Sequence, residues 1–115
     1  MGMDISQLQS EIDRFAKERD WEKFHTLKNL ILALVGETGE LAAVVQWLEE
    51  VDKEFLLANP SIREDFADEL ADVFIYLLRI ADIAGIDPIQ AAVEKMRKNQ
   101  ERYTIEKSKG NAEKQ

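Results

Sequence analysis

Glu37 and Glu40, and again Glu69 and Asp72, form acidic pairs three residues apart. At about 100° per residue, a three-residue step keeps both carboxylates on one side of a helix. With Glu37 as origin, Leu30, Leu34, Leu41 and Val44 fall within about 60° of it, so the first pair interrupts an apolar stripe. A carboxylate on such a face is costly unless it is protonated, paired or bound to a cation. The second pair is less committed: Glu69 borders the Phe66, Val73 and Ile80 side, while Asp72 lies among Asp65, Asp68 and Arg79. Two helices that each offer two carboxylates make an all-oxygen donor set, suited to a hard cation such as magnesium or manganese rather than zinc or iron. A carboxylate-bridged di-iron bundle would carry Glu-x-x-His pairs, and the single histidine, His25, lies outside both acid motifs. Three-spaced acids are also ordinary on solvated helix faces and in salt bridges, so spacing alone leaves that reading open.

A second set of residues suits a planar, partly polar ligand. Trp21, Phe24 and Trp47 offer aromatic faces on which a base can stack, and His25 and Asn29 offer polar groups that can read its edge. On one continuous helix Asn29 and Trp47 project within about 20° of Glu40. Packing in a core or junction is the competing reading for these aromatics, and a structural hydrogen bond or cap for His25. Gly36 and Gly39 flank Glu37 within the same apolar segment, each costing about 1 kcal/mol relative to alanine; such residues suit a helix that another object approaches closely.

The elements that must position these groups are helices. Apolar residues recur at helical spacing nearly throughout, and strand-like alternation is absent. Ile5, Leu8, Ile12 and Phe15 form the stripe of a first helix that Lys17 to Asp20 brings to an end, with Trp21 to His25 as a junction. A second helix is expected from Thr26 to Val51. A third begins at Pro60-Ser61-Ile62-Arg63-Glu64, where Ser61 and Glu64 have the spacing of a capping box, and ends near Gly85. Asp87-Pro88 opens a fourth, with aspartate at the cap and proline at the first turn, and it reaches Tyr103. The expected fold is all-α, a four-helix bundle that associates into oligomers, with one domain over residues 1–105 and a polar, disordered tail over 106–115.

Composition narrows the function further. The net charge of the 115 residues is −8, of which the segment from Lys95 contributes +4 and the first 94 residues −12. An acidic body of this kind disfavours polymeric nucleic acid and anionic membrane, both of which need a cationic surface. The longest purely aliphatic run, Leu30 to Val35, is far too short to span a bilayer. The absence of cysteine excludes disulfides and thiolate metal sites and fits a reducing, cytoplasmic setting.

Taken together, RFAKERDWEKFHTLKNLILALVGETGELAAVVQW and DELADVFIYLLRIAD resemble the MazG-like all-α nucleoside triphosphate pyrophosphatases, and look closest to their dCTP pyrophosphatase subgroup. The resemblance runs from about Ile12 to Tyr103. It implies hydrolysis of a dNTP to its monophosphate and pyrophosphate, with Glu37, Glu40, Glu69 and Asp72 holding Mg2+, for which Mn2+ can substitute. It also implies that Trp21, Phe24, His25 and Trp47 surround the base and sugar, that Tyr76 touches substrate, and that Lys95 and Asn99 lie near the phosphates. A homodimer or homotetramer is implied as well. Ile12 departs from the subgroup pattern, which carries histidine there, so strict selectivity for cytosine is not part of the expectation. Arg79 and Arg102 are further cationic residues for the leaving pyrophosphate, although Arg79 has acids near it with which to pair instead.

Overall fold

The computed structural model describes residues 2–110. All its regular elements are helical, as the periodicity requires, and no strand occurs among the described residues. Six α-helices follow one another: α1 Ile5–Glu18, α2 Leu27–Val45, α3 Lys53–Ala58, α4 Pro60–Ala84, α5 Pro88–Arg102 and α6 Ile105–Ser108, with a 3-10 turn at Glu22–Phe24 between α1 and α2. The contacts divide the chain into two compact units, one up to Ala84 and one from Gly85 onward. In the first unit α4 packs most extensively on α2 and also contacts α1 and α3. Gln9 ties α1 to α4 by donating to the Leu78 carbonyl at 3.0 Å.

Helix starts follow side-chain chemistry. Asp4 Oδ1 accepts from the Gln7 amide at 2.7 Å while Gln7 Oε1 accepts from the Asp4 amide at 2.9 Å, a reciprocal capping box that opens α1. Asp4→Ala is therefore expected to cost about 1 kcal/mol, seen as a lower urea midpoint with an unchanged slope. Asp87 caps α5 through the Gln90 amide at 3.0 Å, with Pro88 at the first turn, as expected. α4 differs. It begins at Pro60, so Ser61 and Glu64 lie inside the helix, and the Arg63 amide bonds to the Asn59 carbonyl at 3.0 Å. The preceding α3, whose C-terminal cap is Asn59, delivers the chain directly into α4 and leaves Ser61 no capping role.

α2 stops at Val45, six residues short of the expected Val51. Glu49 and Glu50 would fall at the C-terminal, negative end of a longer helix, where acids are unfavourable. Asp52 instead caps a new helix, accepting from the Phe55 amide at 2.8 Å. Trp47 consequently sits in a turn, and its helical alignment with Asn29 does not exist. Gly85, in the left-handed region at φ 69°, closes α4 where expected. Ile105–Ser108 forms one helical turn within the segment expected to lack structure, and residues 111–115 lie outside the described residues.

The internal core is small. Ala16, Leu30 and Leu78 are the buried apolar residues, and Arg79 is the buried charged one. Ile31, Leu32 and Val35 on α2 and Leu70, Phe74 and Leu77 on α4 are all exposed.

Candidate active site

α2 supplies Glu37 and Glu40, and α4 supplies Glu69. One carboxylate oxygen from each lies within 4.8 Å of the other two. Two helices that share an extensive interface thus bring together acids 32 residues apart in sequence, from Glu37 to Glu69. Oε2 of Glu37 and Oε2 of Glu69 are enclosed and have no hydrogen-bond partner. Enclosed carboxylate oxygens without donors are costly, and a cation among them removes that cost. Hard oxygen donors converging from two rigid helices fit magnesium or manganese.

The electrostatics agree with this geometry. Burial is the main cause that raises the Glu37 pKa above its ordinary value, with Glu40 next and Asp72 after it. Glu69 is raised in the same way, by burial and then by Glu40. Asp72 is not one of the three residues whose oxygens converge, but its charge acts on both half-buried glutamates, Glu37 and Glu69. It also lines the neighbouring cleft, which makes it the link between the two features. Tyr76, one turn further along α4, feels the same charges: burial first, then Glu37, raise its phenol pKa.

That cleft has a volume of about 540 Å³ and is walled by α1, the α1–α2 junction and α4. Ile12, Phe15, Trp21, His25, Asp72, Tyr76 and Arg79 are among its lining residues. The junction is built by the way α1 ends. The Trp21 amide reaches back to the Ala16 carbonyl at 2.9 Å and the Asp20 amide to the Lys17 carbonyl at 3.1 Å, a Schellman motif with Asp20 at φ 56° in place of glycine. Aspartate tolerates that conformation better than most side chains, and its carboxylate accepts from Lys23 Nζ at 2.9 Å. The motif folds Trp21 back onto Phe15, with ring centroids 5.6 Å apart at 72°. His25 follows the 3-10 turn and precedes Thr26, whose hydroxyl caps α2 by accepting from the Asn29 amide at 3.2 Å.

The MazG-like family profile matches residues 36–115, a span that contains both acidic pairs and more than half of the chain. The chain belongs to the MazG-like family. dCTP pyrophosphatase 1 of Mus musculus is 44% identical over 109 residues, covering 95% of this chain and 62% of that protein. For the Homo sapiens protein of the same name the figures are 44% over 100 residues, 87% of this chain and 57% of that protein. The chain thus spans less than two thirds of these relatives. A crystal structure of a pyrophosphatase from Archaeoglobus fulgidus is 36% identical and superposes with a TM-score of 0.78, covering 90% of this chain and 95% of that one.

The expected residues of this MazG-like chain are not all brought to one place. Glu37, Glu40 and Glu69 converge, and Trp21, His25, Asp72 and Tyr76 share the cleft. Phe24 and Asn29 are close to its lining residues in sequence, but Asn29 Nδ2 donates to the Phe24 carbonyl at 3.1 Å and so braces the junction. Trp47 stands in the turn after α2, 87% exposed and not part of the cleft lining. Lys95 and Asn99 are on α5, in the second unit. Gly36 and Gly39 face open space: a Cβ at either position would meet nothing within 4 Å, so no packing among the described residues explains them.

Phe15 lines the cleft without having been singled out as a site residue, Ile12 and Arg79 line it too, and Asp13 acts from behind it through Arg79. Ile12 and Phe15 were legible as a stripe of α1, and an apolar stripe can line a cleft as readily as a core. Of the two readings of Arg79, a cation for phosphate or a partner for an acid, the structure shows the second: it is buried and bonded to Asp13 and to His25.

Proposed function

We propose that this chain is a nucleoside triphosphate pyrophosphohydrolase that converts dNTPs, with a dCTP-like substrate preferred, to dNMP and pyrophosphate in nucleotide-pool house-cleaning. The observation that carries the reading is the pair of enclosed, partnerless carboxylate oxygens of Glu37 and Glu69, converging with Glu40 next to an aromatic-lined cleft. The family membership and the names of the relatives support it. Glu37, Glu40, Glu69 and Asp72 would hold the magnesium, which when bound supplies neutralisation of phosphate charge and a lowered pKa for water. Hydrolysis adds water to the α-phosphorus and breaks its bond to the α–β bridging oxygen, and pyrophosphate carries that oxygen away. Glu37 or Glu40 accepts the proton that the water loses. Trp21 stacks the base, His25 meets its edge, and Tyr76 and Asp72 lie between base and phosphates. Lys95 and Asn99 of α5 approach the phosphates in the assembled enzyme.

Magnesium-dependent release of pyrophosphate from a dNTP panel tests this proposal. A non-catalytic nucleotide-binding or structural helical oligomer is the competing reading, and calorimetric titration with magnesium and a non-hydrolysable dNTP separates the two. Binding without cleavage would leave a sensor; no binding at millimolar metal would leave a structural protein.

The proposed working form is a homodimer or homotetramer that completes a helical bundle, located in the cytoplasm, where the nucleotide pool lies. Among the described residues no helix is long and apolar enough to cross a membrane. Leu70, Phe74 and Leu77 recur at i, i+4 and i+7 on α4, and Ile31 and Val35 at i and i+4 on α2, all exposed. Apolar stripes of this kind, where the described residues include three buried apolar ones, call for a partner surface, and a second copy presents the same stripes. Light scattering is expected to give two or four times the 13.2 kDa chain mass; a monomer would contradict this.

A further inference from the structure

Arg79 is the one buried charged side chain among the described residues, 3% exposed, and its hydrogen bonds go to groups distant in sequence. Its Nε–H donates to His25 Nδ1 at 3.1 Å and its Nη1–H to Asp13 Oδ1 at 2.7 Å. Asp13 is held from the other side by Lys17 Nζ at 2.8 Å. A guanidinium carries five donors and no acceptor, so an imidazole nitrogen that faces it must be the one without a proton. In a neutral ring the proton then belongs to Nε2. A second proton on Nδ1 would set N–H against N–H and positive charge against positive charge. Burial, and after it the charge of Arg79, accordingly hold the His25 pKa below its ordinary value. His25 lines the cleft, and with Nδ1 engaged by Arg79 the ring nitrogen left for a ligand is Nε2, a donor.

We infer that the Asp13–Arg79 pair locks His25 in its Nε2–H tautomer and so makes the cleft select bases that place an acceptor, a ring carbonyl oxygen or an unprotonated ring nitrogen, opposite His25. This rests on the reading of the cleft as a nucleoside triphosphate site. His25 is the substrate contact; Arg79 and Asp13 are positioning residues that act through it. A base that turns an exocyclic amine or a protonated ring nitrogen to the same place meets donor against donor, and a donor facing no acceptor is what makes polar discrimination steep.

His25 is the only histidine in the chain, so long-range 15N–1H correlation spectra of imidazole report on it alone. In the wild type Nδ1 is expected to resonate as the unprotonated nitrogen and Nε2 as the protonated one. Arg79→Leu and Asp13→Ala should each move the pattern toward a mixture of tautomers. The same variants should raise KM for the preferred dNTP about tenfold, the loss of roughly one hydrogen bond, with kcat changed far less. Arg79→Lys, which keeps a donor for Nδ1, should restore most of the tautomer. His25→Gln should retain more of the base preference than His25→Phe. Should Arg79→Leu fail to fold, the partly exposed Asp13 still provides the test. A protonated Nδ1 in the wild type, or ring spectra unchanged in the folded variants, would overturn the inference. The spectra need no turnover, so a wild type that hydrolyses no nucleotide would sink the functional reading while the tautomer is measured independently.

Discussion

Glu40→Gln is expected to reduce magnesium-dependent pyrophosphate release by roughly 100-fold or more, on the scale of removing one preorganised electrostatic group from a reacting phosphate. The substitution keeps the size of the side chain and removes its charge. Glu40 is exposed, so little folding energy depends on it, yet one of its oxygens lies within 4.8 Å of those of Glu37 and Glu69. Loss of turnover should therefore come without a fall in metal-free melting temperature, which relief of the repulsion on Glu37 and Glu69 should instead raise. Asp72→Asn tests the fourth acid, which lines the cleft and acts on Glu37 and Glu69 through its charge without joining the oxygens that converge. A loss as large as that of Glu40→Gln assigns Asp72 to the metal. A smaller one, expressed mainly in KM, assigns it to the substrate side of the cleft. Unchanged turnover in both variants, measured as pyrophosphate at saturating magnesium, would remove the carboxylates from the chemistry altogether.

How much of this was legible depends on whether the relevant force is local. The helix period, the Asp87-Pro88 start and the Gly85 stop depend on neighbours within one turn, and all three stand as read. The half-burial of Glu37 was visible from the wheel, which needs no partner, whereas Glu40, read onto the same apolar face, is exposed. Their meeting with Glu69 is a consequence of α2 packing on α4, which no spacing reports. Apolar periodicity continues through Trp47 and so points to a longer α2, while the helix yields to the acidic Glu49-Glu50 and the Asp52 cap. The bond between Arg79 and His25 spans 54 residues, and a buried arginine looks in sequence like any basic residue on an acidic helix. For Trp47 the resemblance supplied a role that its place in the turn after α2, outside the cleft lining, does not meet within this chain. The exposed stripes of α2 and α4 give a physical reason, since residues can be brought to one site by a second copy.

Removing the charge of Glu37 should stabilise the metal-free protein while destroying its response to metal. With Oε2 enclosed and without a partner, Glu37 opposes folding whenever it is ionised, and Glu37→Gln is expected to raise metal-free stability by about 1 kcal/mol. For a domain of this size that is about 4–8 °C in melting temperature. Wild type should instead gain stability from magnesium, about 2.7 kcal/mol at one hundred times Kd, and the variant should gain little. The pH dependence has a defined sign. Burial and neighbouring acids raise the folded-state pKa of Glu37 and Glu69 above the unfolded value. The folded chain therefore takes up protons first as pH falls. The favourable contribution of these groups is fully present below the unfolded glutamate pKa and is lost as pH rises through the raised folded values. Metal-free wild type should thus become more stable on acidification from neutrality toward the ordinary glutamate range, with a smaller slope in Glu37→Gln and almost none from these groups when magnesium is bound. Calorimetric melts of both proteins, with chelator and with magnesium, read all four conditions; a Glu37→Gln protein less stable than wild type in chelator would mean that the enclosed oxygen has a donor, and that the three carboxylates are a salt-bridged surface and not a metal site.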